Sequence, residues 1–216
     1  GLMSRISNRS SKGMNIGNDI QNNLGYASII AIPLFFGAVI IGKRVVVTIY
    51  SSEFSQAATF LTGLALFRVI KSQDVILRSS LNGLDRPDLN FKVSLTIFVI
   101  NIVLGFALLY WIGPIGVVVA TVLSEFTGYL AHSYLIKQTV PSVSLFPQPL
   151  QHQFLSGVVM SLCVFGLKES IQLNTWYNIG FLVVCGALVY GFSLLLISPS
   201  IRNTTIEVFK DFGLEV

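Results

Sequence analysis

Long apolar runs that are almost free of charge are the feature that most limits how this chain can fold. The segment 176–197 contains no charged residue, and 91–112 contains only Lys92. A helix of about 20 apolar residues is long enough to cross the hydrocarbon core of a membrane. Of the 216 residues, 53% are hydrophobic and 11% are charged, against roughly 25% charged residues in an ordinary soluble domain. These proportions exclude a soluble enzyme and a disordered chain, and they indicate a membrane protein.

The apolar runs favour helices, because a transmembrane β-strand would alternate apolar and polar residues. Turn formers separate the runs: Gly113 and Pro114 stand between two of them, and Asn82 and Gly83 follow another. Pro33 removes one hydrogen bond in the first run and predicts a kink there. We therefore predict an all-α fold, a polytopic transmembrane helical bundle of about six spans, over residues 24–50, 57–81, 91–112, 115–136, 154–167 and 176–197.

The residues outside the bundle form two further predicted segments. Residues 1–23 are polar and predict a cytoplasmic loop. Residues 198–216 predict a cytoplasmic amphipathic tail, in which Thr204 opens a capping box and Gly213 ends a short surface helix; a frayed tail is the alternative. The chain opens in a polar, loop-like stretch that does not begin with Met, which suggests a fragment of a longer protein.

The second predicted span carries charge in its C-terminal half, where Arg68, Lys71, Asp74 and Arg78 occur. Its uncharged part alone is short enough to be re-entrant or interfacial. With this span in place, the excess of Lys and Arg falls on the cytoplasmic side, as the positive-inside rule requires. The rule is also satisfied without the span if the chain is inverted, so charge counting leaves both arrangements open.

These four charged residues fall within an arc of about 120° on one side of the helix, at 100° per residue. A charge near the bilayer centre costs about 2.5–3.5 kcal/mol, so we expect the charged face to line a water-filled cavity or the bundle interior. Asp74 can pair with Arg78 four residues on or with Lys71 three residues back. One carboxylate against three cations suits an anionic ligand such as a phosphate or diphosphate. The alternative is that the cations extend to the cytoplasmic surface.

The fourth span carries a stripe of small residues, which lets another helix approach closely. The stripe consists of Gly116, Ala120, Ser124 and Gly128. Glu125, Tyr129 and His132 lie beside this stripe. Glu125 is a candidate proton or sodium site, or a partner for a cation on another helix, and an interhelical hydrogen bond is the structural alternative. Asn101 in the third span predicts a hydrogen bond between helices.

The sequence contains no catalytic or metal-binding pattern. Zinc-protease, serine-hydrolase and Walker motifs are missing, and His132 and His152 lack acidic or thiol companions at metal-ligand spacing. No basic stretch is interleaved with aromatic residues in the manner of a nucleic-acid surface. We therefore expect no enzyme, no cofactor, no metal site and no nucleic-acid partner.

Several phrases of the sequence are similar to those of one transporter family. Residues 113–121 (GPIGVVVAT), followed by Ser124 and Glu125, are similar to a family phrase in which alanines stand where this chain has valines. Residues 77–87 (LRSSLNGLDRP) are similar to the end of a family helix, and 2–7 (LMSRIS) to another helix end without its proline. Through these phrases the chain resembles the C-terminal half of polysaccharide and O-antigen flippases, in the multidrug/oligosaccharidyl-lipid/polysaccharide exporter superfamily.

The resemblance implies one lobe of a two-lobed exporter fold, with six spans here and a missing N-terminal lobe in the same protein. Such flippases move a polyprenyl-diphosphate-linked sugar across the plasma membrane by alternating access around a cavity that is typically cationic. Membrane lipids would surround the lobe, and both ends of this segment would be cytoplasmic.

On this basis Arg68 and Lys71 are predicted to attract the diphosphate, Asp74 to fix their side chains, and Arg78 to lie at the cytoplasmic mouth. Glu125 is a candidate for ion coupling. Two alternatives stay open. A cation-coupled multidrug exporter of the same superfamily should favour acids in its cavity, and a non-transporting membrane scaffold should hold the charged face dry against a partner.

Overall fold

The computed structural model describes residues 16–170 and 175–211, and side chains as far as residue 206. None of these residues lies in a β-strand, so the predicted all-α fold class is confirmed. A short 3-10 turn, Ser52–Phe54, follows the second of the α-helices. The helices in the described part are α1 Gly17–Tyr26, α2 Ala31–Tyr50, α3 Ala57–Gly83, α4 Pro87–Ile112, α5 Ile115–Thr139, α6 Gln148–Ser170, α7 Trp176–Ile197 and α8 Pro199–Asp211.

Within the described residues, five helical segments are long and apolar enough to cross a membrane. They are Gly17–Tyr50, which contains α1 and α2, and the four helices α4 to α7. Helix α4 buries none of its residues, although it is one of the five apolar segments. Large apolar side chains such as Phe98, Phe106 and Leu188 are more than half exposed, as expected for surfaces that contact lipid. The protein is therefore a polytopic membrane bundle.

Helix α3 is the exception among the long helices. It runs without interruption for 27 residues, which corresponds to about 40 Å at 1.5 Å per residue. This length exceeds the hydrocarbon thickness of about 30 Å. Its charged residues keep it outside the group of five apolar segments. Since residues 57–83 form one uninterrupted helix, the span predicted at 57–81 is long enough to cross the membrane. That it does cross the membrane stays a prediction.

The first predicted span begins earlier than predicted, since residues 17–23 of the predicted loop are helical, and it is divided into two helices just before Pro33. Residues 27–30 form turns between α1 and α2, because the proline cannot donate the hydrogen bond that would continue the helix. Polar side chains of α3 meet the interrupted backbone. The Gln73 amide donates to the carbonyl of Leu24 at 3.2 Å and to the hydroxyl of Ser28 at 2.7 Å, and Ser28 also bonds Ser72 at 2.6 Å.

Helix α6 begins earlier than predicted. The sequence placed a long loop before residue 154, whereas the helix starts at Gln148 and continues to Ser170. Polar residues at its beginning, including Gln151 and Gln153, lower the local hydropathy without preventing helix formation. Pro149 occupies the second helical position, where its missing N–H is not needed.

The C-terminal helix also begins earlier than predicted. The capping box at Thr204 predicted a helix start there, but α8 starts at Pro199. Thr204 lies inside the helix, where its hydroxyl donates to the carbonyl of Ser200 at 3.0 Å. Tyr26 joins α1 to α8 through a 2.8 Å hydrogen bond with the Ser200 hydroxyl. Gly213 lies outside the described residues.

The helices pack in a row in which α3 has the central place. Helix α4 packs on α5, α5 on α3, and α3 on α2, which in turn contacts α6 and α7. One buried apolar cluster joins α1, α3 and α5 through Leu24, Leu77 and Ile136. A second cluster joins α2, α6 and α7 through residues such as Ile32 and Leu182. Helix α3 contributes to both clusters and is packed on more than one side.

The small-residue stripe of α5 faces α4. Gly116, Ala120, Ser124 and Gly128 are all buried. A methyl group added at Gly116 would overlap the backbone carbonyl of Leu108, and one at Gly128 would overlap the side chain of Ile97. The sequence predicted that another helix would approach this stripe closely, and in the structure that helix is α4.

We expect Gly116→Ala to destabilise the protein by about 1–3 kcal/mol, because the backbone of Leu108 cannot move aside as a side-chain tip can. The measurement is reversible unfolding in mixed micelles. Gly105→Ala on α4 is the matched control, since a methyl group there meets nothing within 4 Å. Equal stability of the two variants would contradict a close backbone contact at Gly116.

Candidate functional site

Asp74 lies at the centre of a charged cluster between α3 and α5. Its side chain is 0% exposed. One carboxylate oxygen accepts from Nε of Arg78 at 2.6 Å, one helical turn along α3. The other oxygen accepts from Nδ1 of His132 on α5, also at 2.6 Å. Both oxygens of the buried carboxylate are thus satisfied, and the predicted Asp74–Arg78 pair is present.

Lys71 is held mainly by a carboxylate from the other helix. Its Nζ lies 2.8 Å from Oε1 of Glu125 on α5, and 4.0 Å from Oδ2 of Asp74. The Lys71 side chain is 28% exposed, whereas that of Glu125 is 6% exposed. The sequence offered Glu125 as a partner for a cation on another helix, and in the structure that cation is Lys71.

The charge balance of the cluster differs from the one expected from α3 alone. The sequence placed a single carboxylate against Arg68, Lys71 and Arg78. Glu125 adds a second carboxylate, so Lys71 and Arg78 each have an acidic partner within 2.8 Å. The excess positive charge on this face is therefore concentrated at Arg68.

Arg68 stands apart from the paired residues. Its side chain is exposed, and the contact recorded for its guanidinium is with the ring of Phe67, 6.0 Å away. Since no described carboxylate lies within 4.0 Å of it, Arg68 is available to an anionic ligand. Lys71 and Arg78, at 28% and 26% exposure, are accessible from the same open side of α3.

An apolar groove of about 730 Å³ runs beside Arg68. Its walls come from α2, α3, α6 and α7, and Arg68 is the one charged side chain among the described residues that line it. Small residues on α2 keep the groove open, since a methyl group added at Gly37 would meet nothing within 4 Å. The apolar lining includes Pro33, Ile41, Leu64, Met160, Leu182 and Gly186. Sequence reasoning missed this groove, because its lining is drawn from helices far apart in the chain.

Two other predicted polar residues have structural partners. Asn101 on α4 donates to the hydroxyl of Thr121 on α5 at 3.4 Å, which is the interhelical bond that was predicted. His132 is 0% exposed and bonds Asp74 through one ring nitrogen. The pairing of His132 with Asp74 was not predicted from the sequence. The order of the spans could have indicated it, because successive spans cross in opposite directions and α3 and α5 would therefore run parallel.

The described residues contain no group of three or more His, Cys, Asp or Glu side chains suited to a metal ion. The two cysteines, Cys163 and Cys185, are not bonded to each other. The site is thus built from paired charges, one unpaired cation and an adjacent apolar groove. This composition suits recognition of an amphiphilic anion.

Fold and site together define a multi-pass membrane protein with charged residues set among its helices. Among known proteins, the chain is 29% identical over 198 residues to the Haloferax volcanii protein named "Probable flippase AglR". It is 27% identical over 208 residues to the "Probable low-salt glycan biosynthesis flippase Agl15" of the same organism. The resemblance to flippases that the sequence motifs indicated is confirmed by these relatives.

The two similarities extend over most of this chain but only part of each relative. They cover 89% and 95% of the chain, and 40% and 44% of the relatives. The chain thus spans about two fifths of the length of these proteins. No family model matches the chain, and no solved structure matches it.

We expect Asp74→Ala to destabilise the protein by about 3–5 kcal/mol, because Arg78 would lose its acidic partner and the buried His132 its acceptor. The loss should appear as a lower midpoint of unfolding in mixed micelles. Asp88→Ala is the control, because Asp88 is exposed in the first turn of α4 and should contribute less than about 1 kcal/mol. A similar effect of both substitutions would show that the Asp74 cluster does not stabilise the bundle.

Proposed function

We propose that this chain is one lobe of a flippase that translocates a lipid-linked oligosaccharide or polysaccharide precursor across the plasma membrane by alternating access. The names of both relatives support a flippase, and the name of the second supports a role in glycan biosynthesis. The observation that carries the proposal for this chain is the open, cationic side of α3, with an unpaired Arg68 beside an apolar groove.

The open side of α3 presents three cations to a diphosphate, and they differ in how strongly they are paired with acidic residues. Arg68 has no acidic partner, so it makes the first contact. Lys71 is paired with Glu125 but is still partly exposed, and it forms the second contact. Asp74 orients Arg78 through a short ion pair, and Arg78 lies nearer the cytoplasmic end of the helix. Arginine and lysine together suit a group with several phosphate oxygens.

The groove beside Arg68 gives the hydrocarbon part of the substrate an apolar surface. Its lining is apolar apart from Arg68, so a polyprenyl chain can lie along α2 while the diphosphate stays at the cations. Burial of apolar surface would contribute roughly 25 cal/mol per Å². The cations of α3 and the adjacent groove would thus hold the charged headgroup and the uncharged tail of one substrate molecule side by side.

The proposed organisation follows the sequence-based domain boundaries. Residues 24–197 form the transmembrane lobe, with α3 as its sixth membrane-crossing element, and 1–23 and 198–216 lie in the cytoplasm. The remainder of the full-length protein supplies the other lobe, consistent with relatives that are more than twice as long as the matched part. The substrate then moves between two lobes that open alternately to either side.

Transport of a lipid-linked sugar is favoured over the two alternatives. A drug exporter for cations needs free acids in its cavity, whereas Asp74 and Glu125 are buried and paired. A scaffold has no need for an unpaired Arg68 next to an open groove. As a flippase, the protein translocates its substrate and is not an enzyme.

In the full-length protein, we expect Arg68→Ala combined with Lys71→Ala to reduce transport about tenfold or more. Each charged hydrogen bond to phosphate contributes about 1.5–3 kcal/mol, and the variant removes the two proposed contacts. The measurement is protease- or lectin-protected appearance of a labelled lipid-linked oligosaccharide in reconstituted vesicles. Lys92→Ala combined with Lys137→Ala is the control, because both lysines are exposed outside the cluster. Unchanged transport in the first variant would refute the role of this face.

Water accessibility separates a transporter from a dry scaffold. In a full-length protein without other cysteines, we expect Lys71→Cys to react with a membrane-impermeant thiol reagent. Leu77→Cys on the same helix should not react, because Leu77 is 0% exposed. Absence of reaction at position 71 from either side of the membrane would favour the scaffold.

A further inference from the structure

The contact between Lys71 and Glu125 differs from the others in the cluster because neither residue has a second described partner as close. Asp74 is already occupied by Arg78 and His132 through 2.6 Å contacts on its two oxygens, and Lys71 is 4.0 Å from it. Glu125 is thus the carboxylate that neutralises Lys71, at 2.8 Å. If another anion engages Lys71, Asp74 keeps its two 2.6 Å contacts with Arg78 and His132, but Glu125 loses its ion-pair partner.

The exposure of the two partners is unequal. Lys71 retains 28% exposure, so an anion on the open side of α3 can reach its ammonium group, whereas Glu125 has only 6% exposure. A diphosphate carries more negative charge than a carboxylate, and an ammonium group binds phosphate well. The diphosphate and Glu125 therefore compete for the same cation.

We propose that Glu125 is a displaceable internal counter-ion of Lys71, and that it takes up one proton when a substrate diphosphate displaces it. This inference rests on the function proposed above and assigns to that site a stoichiometric coupling between headgroup binding and proton binding. The step forms a hydrogen bond from the Lys71 ammonium to a phosphate oxygen and breaks the one to Oε1 of Glu125. The proton comes from water and ends on the Glu125 carboxylate, while Lys71 keeps its charge.

The proton is required because of what surrounds Glu125. From α3 it faces Lys71 and the negatively charged Asp74, which also holds Arg78. On its own helix the neighbouring titratable groups are Tyr129 and His132, and His132 is engaged by Asp74. The charged residues of α4, which packs against α5, are Asp88 and Lys92, both exposed at its N-terminal end.

Without Lys71, Glu125 is a buried carboxylate near a second carboxylate and without a free cation beside it. Such a group is neutralised by protonation more readily than it is kept charged. Substrate binding and proton uptake are then linked, so affinity rises as the pH falls, by no more than about tenfold per pH unit for one proton. Release of the diphosphate restores the Lys71–Glu125 pair and returns the proton.

The test uses the purified full-length protein in nanodiscs and farnesyl diphosphate as the probe. Proton uptake on binding is measured with a pH indicator in weak buffer, and affinity is measured by calorimetry across a range of pH. The wild-type protein should take up about one proton per bound probe molecule. Glu125→Gln should bind roughly tenfold more tightly, which corresponds to about 1.4 kcal/mol, and should take up no proton through this site.

Two further variants keep the inference testable if Glu125→Gln folds poorly. Lys71→Gln should bind the probe weakly and show no proton uptake, because Glu125 is then already protonated before binding. Glu169→Gln, a substitution of an exposed acid at the end of α6, should behave as the wild-type protein. The protonation of the probe itself is common to all variants and cancels in the comparison.

The outcomes distinguish the inference from the proposed function. No binding by the wild-type protein would overturn both. Suppose that Lys71→Gln weakens binding, but that Glu125→Gln binds no more tightly than the wild-type protein and still takes up a proton. This result would overturn the inference and leave the proposed function standing. Tighter, proton-independent binding by Glu125→Gln would support the inference, since a merely structural role for Glu125 predicts weaker binding.

Discussion

A carboxylate buried among membrane helices must be surrounded by donors, and this constraint at Asp74 organises much of the bundle. Asp74 accepts from Arg78 on its own helix and from His132 on α5. The second contact fixes α5 against α3, and α4 follows because it packs on the small-residue stripe of α5. On its other side α3 packs against α2, which contacts α6 and α7. The paired carboxylate of Asp74 thus lies on the helix that joins the α4–α5 side of the bundle to the α2, α6 and α7 side.

The three cations of α3 differ in how strongly they are committed to the protein. Arg78 is tied to a carboxylate that is fully buried, and removing that carboxylate would leave its charge uncompensated. Lys71 is tied to a carboxylate on a neighbouring helix and is still partly exposed. Arg68 is exposed and has no described acidic partner. A single helical face therefore combines a cation paired with a fully buried acid, a paired cation that is partly exposed and an unpaired cation within about three turns.

The sequence predicted the helices well but not the connections between their polar residues. Continuous apolar runs and turn formers located the six segments, and Pro33 predicted the interruption of the first. The start of α6 was misplaced because the polar residues of its first two turns lower the hydropathy without preventing a helix. The Asp74–Arg78 pair follows from spacing along one helix. The pairs of Lys71 with Glu125 and Asp74 with His132 depend on the packing of α3 against α5, which spacing along the sequence does not determine.

The pairing of α3 with α5 has a consequence for how the protein enters the membrane during synthesis. The α5 partners of Lys71 and Asp74 lie 54 and 58 residues later in the chain, so until α5 is synthesised the charges of α3 have only the Asp74–Arg78 pair within the helix. Each unpaired charge near the bilayer centre would cost about 2.5–3.5 kcal/mol, and α3 is too charged to count among the apolar segments. In the proposed six-span arrangement, stable insertion of α3 would therefore wait for α5, and α3, α4 and α5 would form one unit of membrane assembly.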